Sequence, residues 1–155
     1  MSASPFGFPA RPPSEVEWEE LLVRLEVTPR ALRLAVEDAG GDTPELRGVL
    51  AGIVAHEEGL AKLLEELRER RDLPGSSFVG LGAAAGVPAE PAAQLAAAFA
   101  RLRERNFAQV QRRGLDVWEW ASRLDGRPVT AYQALQWTAR MDGEMLAALR
   151  AHGRG

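Results

Sequence analysis

Cysteine is absent from this chain of 155 residues, so disulfides, thiolate metal ligands and cysteine nucleophiles are all excluded. That absence suits a reducing cytoplasm. Long apolar runs are missing too, since no stretch approaches the ~20 residues that span a bilayer, and a membrane is not an expected partner. Positive charge is not in excess. The formal net charge is −3, and the clusters Arg68, Arg70, Arg71 and Arg101, Arg103, Arg105 are interleaved with glutamates. Such a surface offers little pull on a phosphate backbone, so nucleic acid is not expected either. Residues 1–13 hold no basic segment followed by an apolar core and no secretory cleavage site, which again points to the cytoplasm. Pro9, Pro12 and Pro13 disfavour regular structure there, and the stretch reads as a flexible tail, pinned by Phe6 and Phe8.

Strand signals are also scarce, because β-branched and aromatic residues are few and nowhere alternate, while Ala, Leu, Glu and Arg fill long periodic stretches. An apolar fraction of 46% suffices for one core, and a single all-helical domain over residues 14–152 is expected. The first helix spans about Ser14 to Ala39, with Leu21, Leu22, Leu25, Leu32 and Ala35 on one face; Thr28-Pro29 predicts a kink or a restart inside it. Gly40-Gly41 stops it, and Thr43-Pro44 caps a second helix whose stripe Leu46, Val49, Leu50, Ile53, Leu60, Leu64, Leu67 leads toward Arg71. From Asp72 to Pro91, glycine and proline break the periodicity and predict a long crossover. A third helix, about Pro91 to Arg113, turns Leu95, Phe99, Leu102, Asn106 and Val110 inward. Leu115 to Leu124 reads as a short helical turn carrying Trp118 and Trp120. The capping box Thr130-x-x-Gln133 then opens a fourth helix, about Ala131 to His152. Four such helices predict an up-and-down four-helix bundle with the long crossover between helices two and three.

Polar residues interrupt these stripes at matching depths. Glu57 falls in the middle of the second stripe with His56 beside it, Asp142 lies on the fourth stripe with Leu135, Thr138, Met145 and Leu149, and the third helix supplies Asn106 and Arg103. Buried charges without partners cost several kcal/mol on a rough scale, so these groups are expected to meet one another, a metal or water. Three readings follow: a network that fixes helix register, a divalent metal site (Zn, Ni or Mn) on His56, Glu57 and Asp142, or a polar pocket for an organic ligand. His152 reads as a solvated last-turn cation. Gly80-x-Gly82-x-x-x-Gly86 follows no strand, which removes the dinucleotide reading. Trp18, Trp118, Trp120 and Trp137 fit core or an interface. No nucleophile accompanies His56 as a hydrolase would require.

Taken together, Thr28-Pro29-Arg30-Ala31-Leu32, Leu46-Arg47-Gly48-Val49-Leu50-Ala51-Gly52-Ile53-Val54-Ala55-His56-Glu57 and Met141-Asp142-Gly143-Glu144-Met145 resemble the DinB/YfiT-like four-helix-bundle superfamily over roughly Glu15 to Arg150. The resemblance implies a bundle that binds a divalent metal through one histidine on helix two and an H-D-x-x-H pair on helix four, in thiol transferases or thiol-dependent isomerases. It also implies a homodimer of bundles packed side by side. The three ligand positions correspond to Gly52, Met141 and Met145, while the adjacent acids Glu57 and Asp142 match. Thioethers hold such ions weakly and glycine supplies no ligand. The expectation is therefore a bundle that has lost its metal, needs no cofactor and acts as a binding or interaction module, with the methionines filling space beside the acids. The alternatives are a thiol-transfer enzyme with rearranged ligands and a carrier of a small apolar ligand between the helices, with Phe99, Trp137, Met141 and Met145 as walls.

Overall fold

Ser14 opens the first helix by a reciprocal capping box: its side-chain oxygen accepts the Glu17 N–H at 3.2 Å, and the Glu17 carboxylate accepts the Ser14 N–H at 3.1 Å. The computed structural model describes residues 13–69, 89–113, 121–124 and 127–153. Pro13, assigned to the tail from sequence, is buried. Helix α1 runs unbroken over Glu15–Asp38 with Pro29 inside it, so Thr28-Pro29 is not a restart. The Thr28 hydroxyl lies instead within reach of the Arg24 carbonyl and the Asp142 carboxylate, as a mid-helix residue facing inward. After Ala39 the chain turns at Gly40 with φ +75, a conformation open to glycine, and the helix ends as expected.

Helix α2 spans Pro44–Arg68, with Thr43 accepting the Leu46 N–H and Pro44 in the first turn. Helix α3 spans Ala92–Arg113, and its first N–H donates to Asp42 in the α1–α2 connection at 3.2 Å. Helix α4 spans Ala131–Gly153 and opens on the expected capping box, Gln133 N–H to the Thr130 hydroxyl at 3.1 Å and Thr130 N–H to the Gln133 side chain at 2.9 Å.

Before α4 the sequence reading fails locally. Strands β1 (Ala121–Leu124) and β2 (Arg127–Thr130) pair antiparallel, from Ala121 opposite Thr130 to Leu124 opposite Arg127, where a helical turn was expected. The sequence between them is Asp125-Gly126, a strong hairpin dipeptide, and a pair this short carries too few alternations to register as strand. Phe6, Phe8, Gly80, Gly82, Gly86, Trp118 and Trp120 lie outside the described residues.

Helix order departs from a simple up-and-down bundle. Both α1 and α2 pack against α3 and α4, which leaves α1 diagonal to α2 and α3 diagonal to α4. The Trp18 and Tyr132 rings are 6.2 Å apart and Thr28 meets Asp142, so α1 and α4 run parallel. Asp42 meets Ala92 and Glu57 meets Asn106, so α2 and α3 are parallel as well. The topology is up-down-down-up. A helix of 25 residues is ~37 Å long, and with α2 and α3 parallel the connection between them has to recover that length; the crossover expected from Asp72 to Pro91 lies, up to residue 88, outside the described residues.

Two apolar clusters form the core. One gathers Trp18, Leu21, Leu25, Leu60, Leu64, Leu67, Val110, Tyr132 and Leu135 around the starts of α1 and α4. The other gathers Leu32, Leu46, Leu50, Ile53, Leu95, Phe99, Met145 and Leu149 around the opposite ends of those helices. Between them lies a polar layer: Thr28, His56, Glu57, Arg103, Asn106, Thr138 and Asp142, all buried.

Candidate functional site: a buried ion-pair layer

Helical spacing brings one polar residue or more from each helix to the same depth. Arg103 stands at the centre. Its Nε donates to Glu57 Oε1 at 2.9 Å; Nη2 donates to Glu57 Oε1 at 2.5 Å and to Asp142 Oδ1 at 2.8 Å; Nη1 donates to Asp142 Oδ2 and to the Leu25 carbonyl, both at 2.8 Å. Those bonds engage every N–H of the guanidinium. Phe99 closes one side of the group, with its ring centroid 4.9 Å from the guanidinium carbon. Burial alone would lower the Arg103 pKa, but hydrogen bonds to Asp142 and the charges of Glu57 and Asp142 outweigh it, and the net direction is up. The charge is permanent.

Proline explains one of these bonds. Pro29 has no N–H, so the carbonyl of Leu25, four residues earlier in α1, loses its ordinary helical donor. Arg103 supplies the replacement from α3. A backbone defect in one helix is thereby satisfied by a side chain of another, and leaving that buried carbonyl unpaired would cost about 1 to 3 kcal/mol.

The two acids complete their shells with neutral donors. Asn106 Nδ2 donates to Glu57 Oε2 at 2.9 Å and to the Glu57 backbone carbonyl at 3.1 Å, and the Thr28 hydroxyl lies 2.8 Å from Asp142 Oδ2. Two carboxylates therefore share one guanidinium, and uncharged groups support the second negative charge.

His56 belongs to the same layer but not to the ion pairs. Its Nε2 lies 2.9 Å from Thr138 Oγ1, and the Thr138 hydroxyl donates to the Ala134 carbonyl at 2.9 Å. A hydroxyl has a single proton, so Nε2 is the donor and Nδ1 carries a bare lone pair. That Nδ1 is buried and has no partner. Desolvation lowers the His56 pKa to about 4; Asp142 opposes the shift and Arg103 reinforces it. The imidazole is neutral at physiological pH.

The structure gathers Glu57, Asp142, Asn106 and Arg103 as the stripes predicted, and places His56 at their edge. The members of the alternative metal set, His56, Glu57 and Asp142, face different partners. Glu57 and Asp142 turn to the guanidinium, His56 turns to Thr138, and among the described residues no group of three or more His, Asp or Glu is placed to hold a metal ion. A cation would have to enter beside the fixed charge of Arg103. Of the expected pocket walls, Phe99 and Met145 are packed into the second apolar cluster, and Trp137 packs on the first with its ring 6.2 Å from that of His56. Met141 is half-buried, and Gly52 sits in α2 one turn before His56. The cavity beside Arg103 and Asn106 measures about 10 Å³, room for no more than a single water.

Thr28 and Thr138 are the members that sequence reasoning missed. Thr138 stood on the inward stripe without a role, and Thr28 was read as a cap because proline follows it. Comparison with protein-family models, with curated proteins and with solved structures returns no match to this chain, so the DinB/YfiT resemblance stands on the quoted residues alone.

Proposed function

We propose that the chain is a non-catalytic binding or interaction module on a DinB-like bundle, in which an ion-pair layer stands where the resemblance would put a metal. The observation that carries this reading is the saturation of Arg103 between Glu57 and Asp142. Both acids that match the resemblance are committed to a permanent cation, and the lone central imidazole is committed to a threonine. The cavity beside Arg103 and Asn106 measures about 10 Å³, too small for a substrate at that point of the layer, which supports recognition by the outer faces of the bundle. The side-by-side dimer implied by the resemblance belongs to the same reading.

The enzyme alternative keeps one observation, the buried and unpartnered Nδ1 of His56. Elemental analysis of the tag-free protein, before and after incubation with nickel, zinc and manganese and desalting, separates the two. No retained metal is expected. Near-stoichiometric metal that disappears in His56→Ala would overturn the proposal and establish a rearranged metal centre.

A further inference from the structure

The large apolar side chains left exposed among the described residues are Val16, Val23, Val27 and Leu34, at 63, 56, 54 and 46% exposure. All of them lie on α1. At about 100° per residue they fall on one straight seam, together with the exposed Glu20 and Arg30, within an arc of about 80°. Trp18, Leu25 and Leu32, which fill the bundle core, project from the opposite side of the same helix. Helix α1 is thus apolar on two faces, and only one of them is covered. A ridge of that length on a charged bundle marks an interaction surface.

The order of residues along the seam identifies the partner. Leu25 lies midway between Val23 and Val27, midway between Glu20 and Arg30, and midway between Val16 and Leu34. Turned end over end about that point, the seam maps onto itself with every apolar residue on an apolar residue and the acid on the base. A two-fold axis requires this of an isologous contact. We propose that α1 is the dimer interface of this protein, packed antiparallel on α1 of a second copy, with Val16 against Leu34, Glu20 against Arg30 and Val23 against Val27 across the axis. Parallel packing would set Glu20 against Glu20 and Arg30 against Arg30, so the charges select the antiparallel arrangement. The spacing of the six positions alternates by three and four, the pattern of a coiled-coil seam.

The inference rests on the reading of the chain as an interaction module, and it tests a different part of the molecule. Sedimentation velocity of the full chain over a dilution series is the experiment, with far-UV circular dichroism to verify helicity. A wild-type dimer is expected; Glu20→Arg and Arg30→Glu should each weaken it by about tenfold or more, because the two-fold axis repeats each reversal and creates two like-charge contacts per dimer. Combining the two reversals restores both pairs and should bring the dissociation constant back to within about threefold. Val23→Glu should give a monomer. A monomeric wild type, single variants that associate like wild type, or a double variant that stays as weak as the singles would each overturn the seam. Retained metal with this dimer intact would overturn the interaction-module reading and leave the interface standing.

Discussion

The polar layer and the two apolar clusters that flank it are equally buried, yet they hold the bundle together in different ways. In the clusters, Phe99, Leu50 and Leu149 lose water contact and gain close packing, and many combinations of side chains would serve if volume were kept. Around Arg103, each donor has one acceptor in one direction, and a helix displaced by a turn would strand a charge. Apolar packing gives bulk stability with loose specification, and the ion-pair layer gives specification at a desolvation cost. The bundle uses the first at both ends and the second in the middle.

Removing the centre of the layer should separate the two most sharply. Arg103→Met leaves two buried carboxylates and the Leu25 carbonyl without their shared donor, and a loss of roughly 3 to 5 kcal/mol is expected in urea unfolding. If the layer chiefly specifies register, the triple variant Glu57→Gln, Arg103→Met, Asp142→Asn should recover most of that loss. A triple variant as unstable as Arg103→Met would mean that the network itself supplies net stability.

Acid should distinguish the layer from the clusters, which hold no carboxylate or histidine. The His56 pKa is about 4 in the folded chain against an ordinary value of 6.5, so between those values the unfolded chain binds the proton first. Stability contributed by the neutral imidazole is present above pH 6.5 and is lost as pH falls toward 4, on the order of 3 kcal/mol in all. Unfolding free energies measured across that window in wild type and His56→Gln should diverge at neutral pH and converge on acidification. Parallel pH profiles would show that His56 does not titrate as its burial demands.

The smallest effect is expected at the edge of the layer. Thr28→Val keeps the shape and removes one donor to Asp142, which should cost about 1.5 kcal/mol, the low end for a hydrogen bond to a charged group. A neutral result in thermal unfolding would assign the Thr28 proton to the Arg24 carbonyl instead, 3.0 Å away.

Much of this layer was legible from spacing, because a carboxylate in a leucine stripe must be buried whatever the fold. Glu57, Asp142, Asn106 and Arg103 were found that way, as were the caps at Thr43 and Thr130. Helix adjacency was not legible. A stripe shows that a helix has an inner face but not which neighbour meets it, and so the diagonal relation of α1 to α2, and with it the up-down-down-up order, is a property of the assembled bundle alone. The pairing of Arg103 with both acids depends on that order. Proline misled for a different reason: the local signal at Thr28-Pro29 is that of a helix start, and only a donor from α3 makes an unbroken helix tolerable there.

Sequence separation within the layer carries a consequence for how the chain reaches its native state. Thr28 and Asp142 are 114 positions apart, His56 and Thr138 82, and Arg103 and Glu57 46. Contacts this distant close late, after local helices have formed and the intervening chain has given up its freedom. Until α4 arrives, the guanidinium has only one of its two acids. The layer therefore acts as a checkpoint on assembly: a partly built or wrongly threaded bundle leaves two N–H groups of the buried guanidinium without acceptors, and the correct arrival of the last helix supplies both from Asp142.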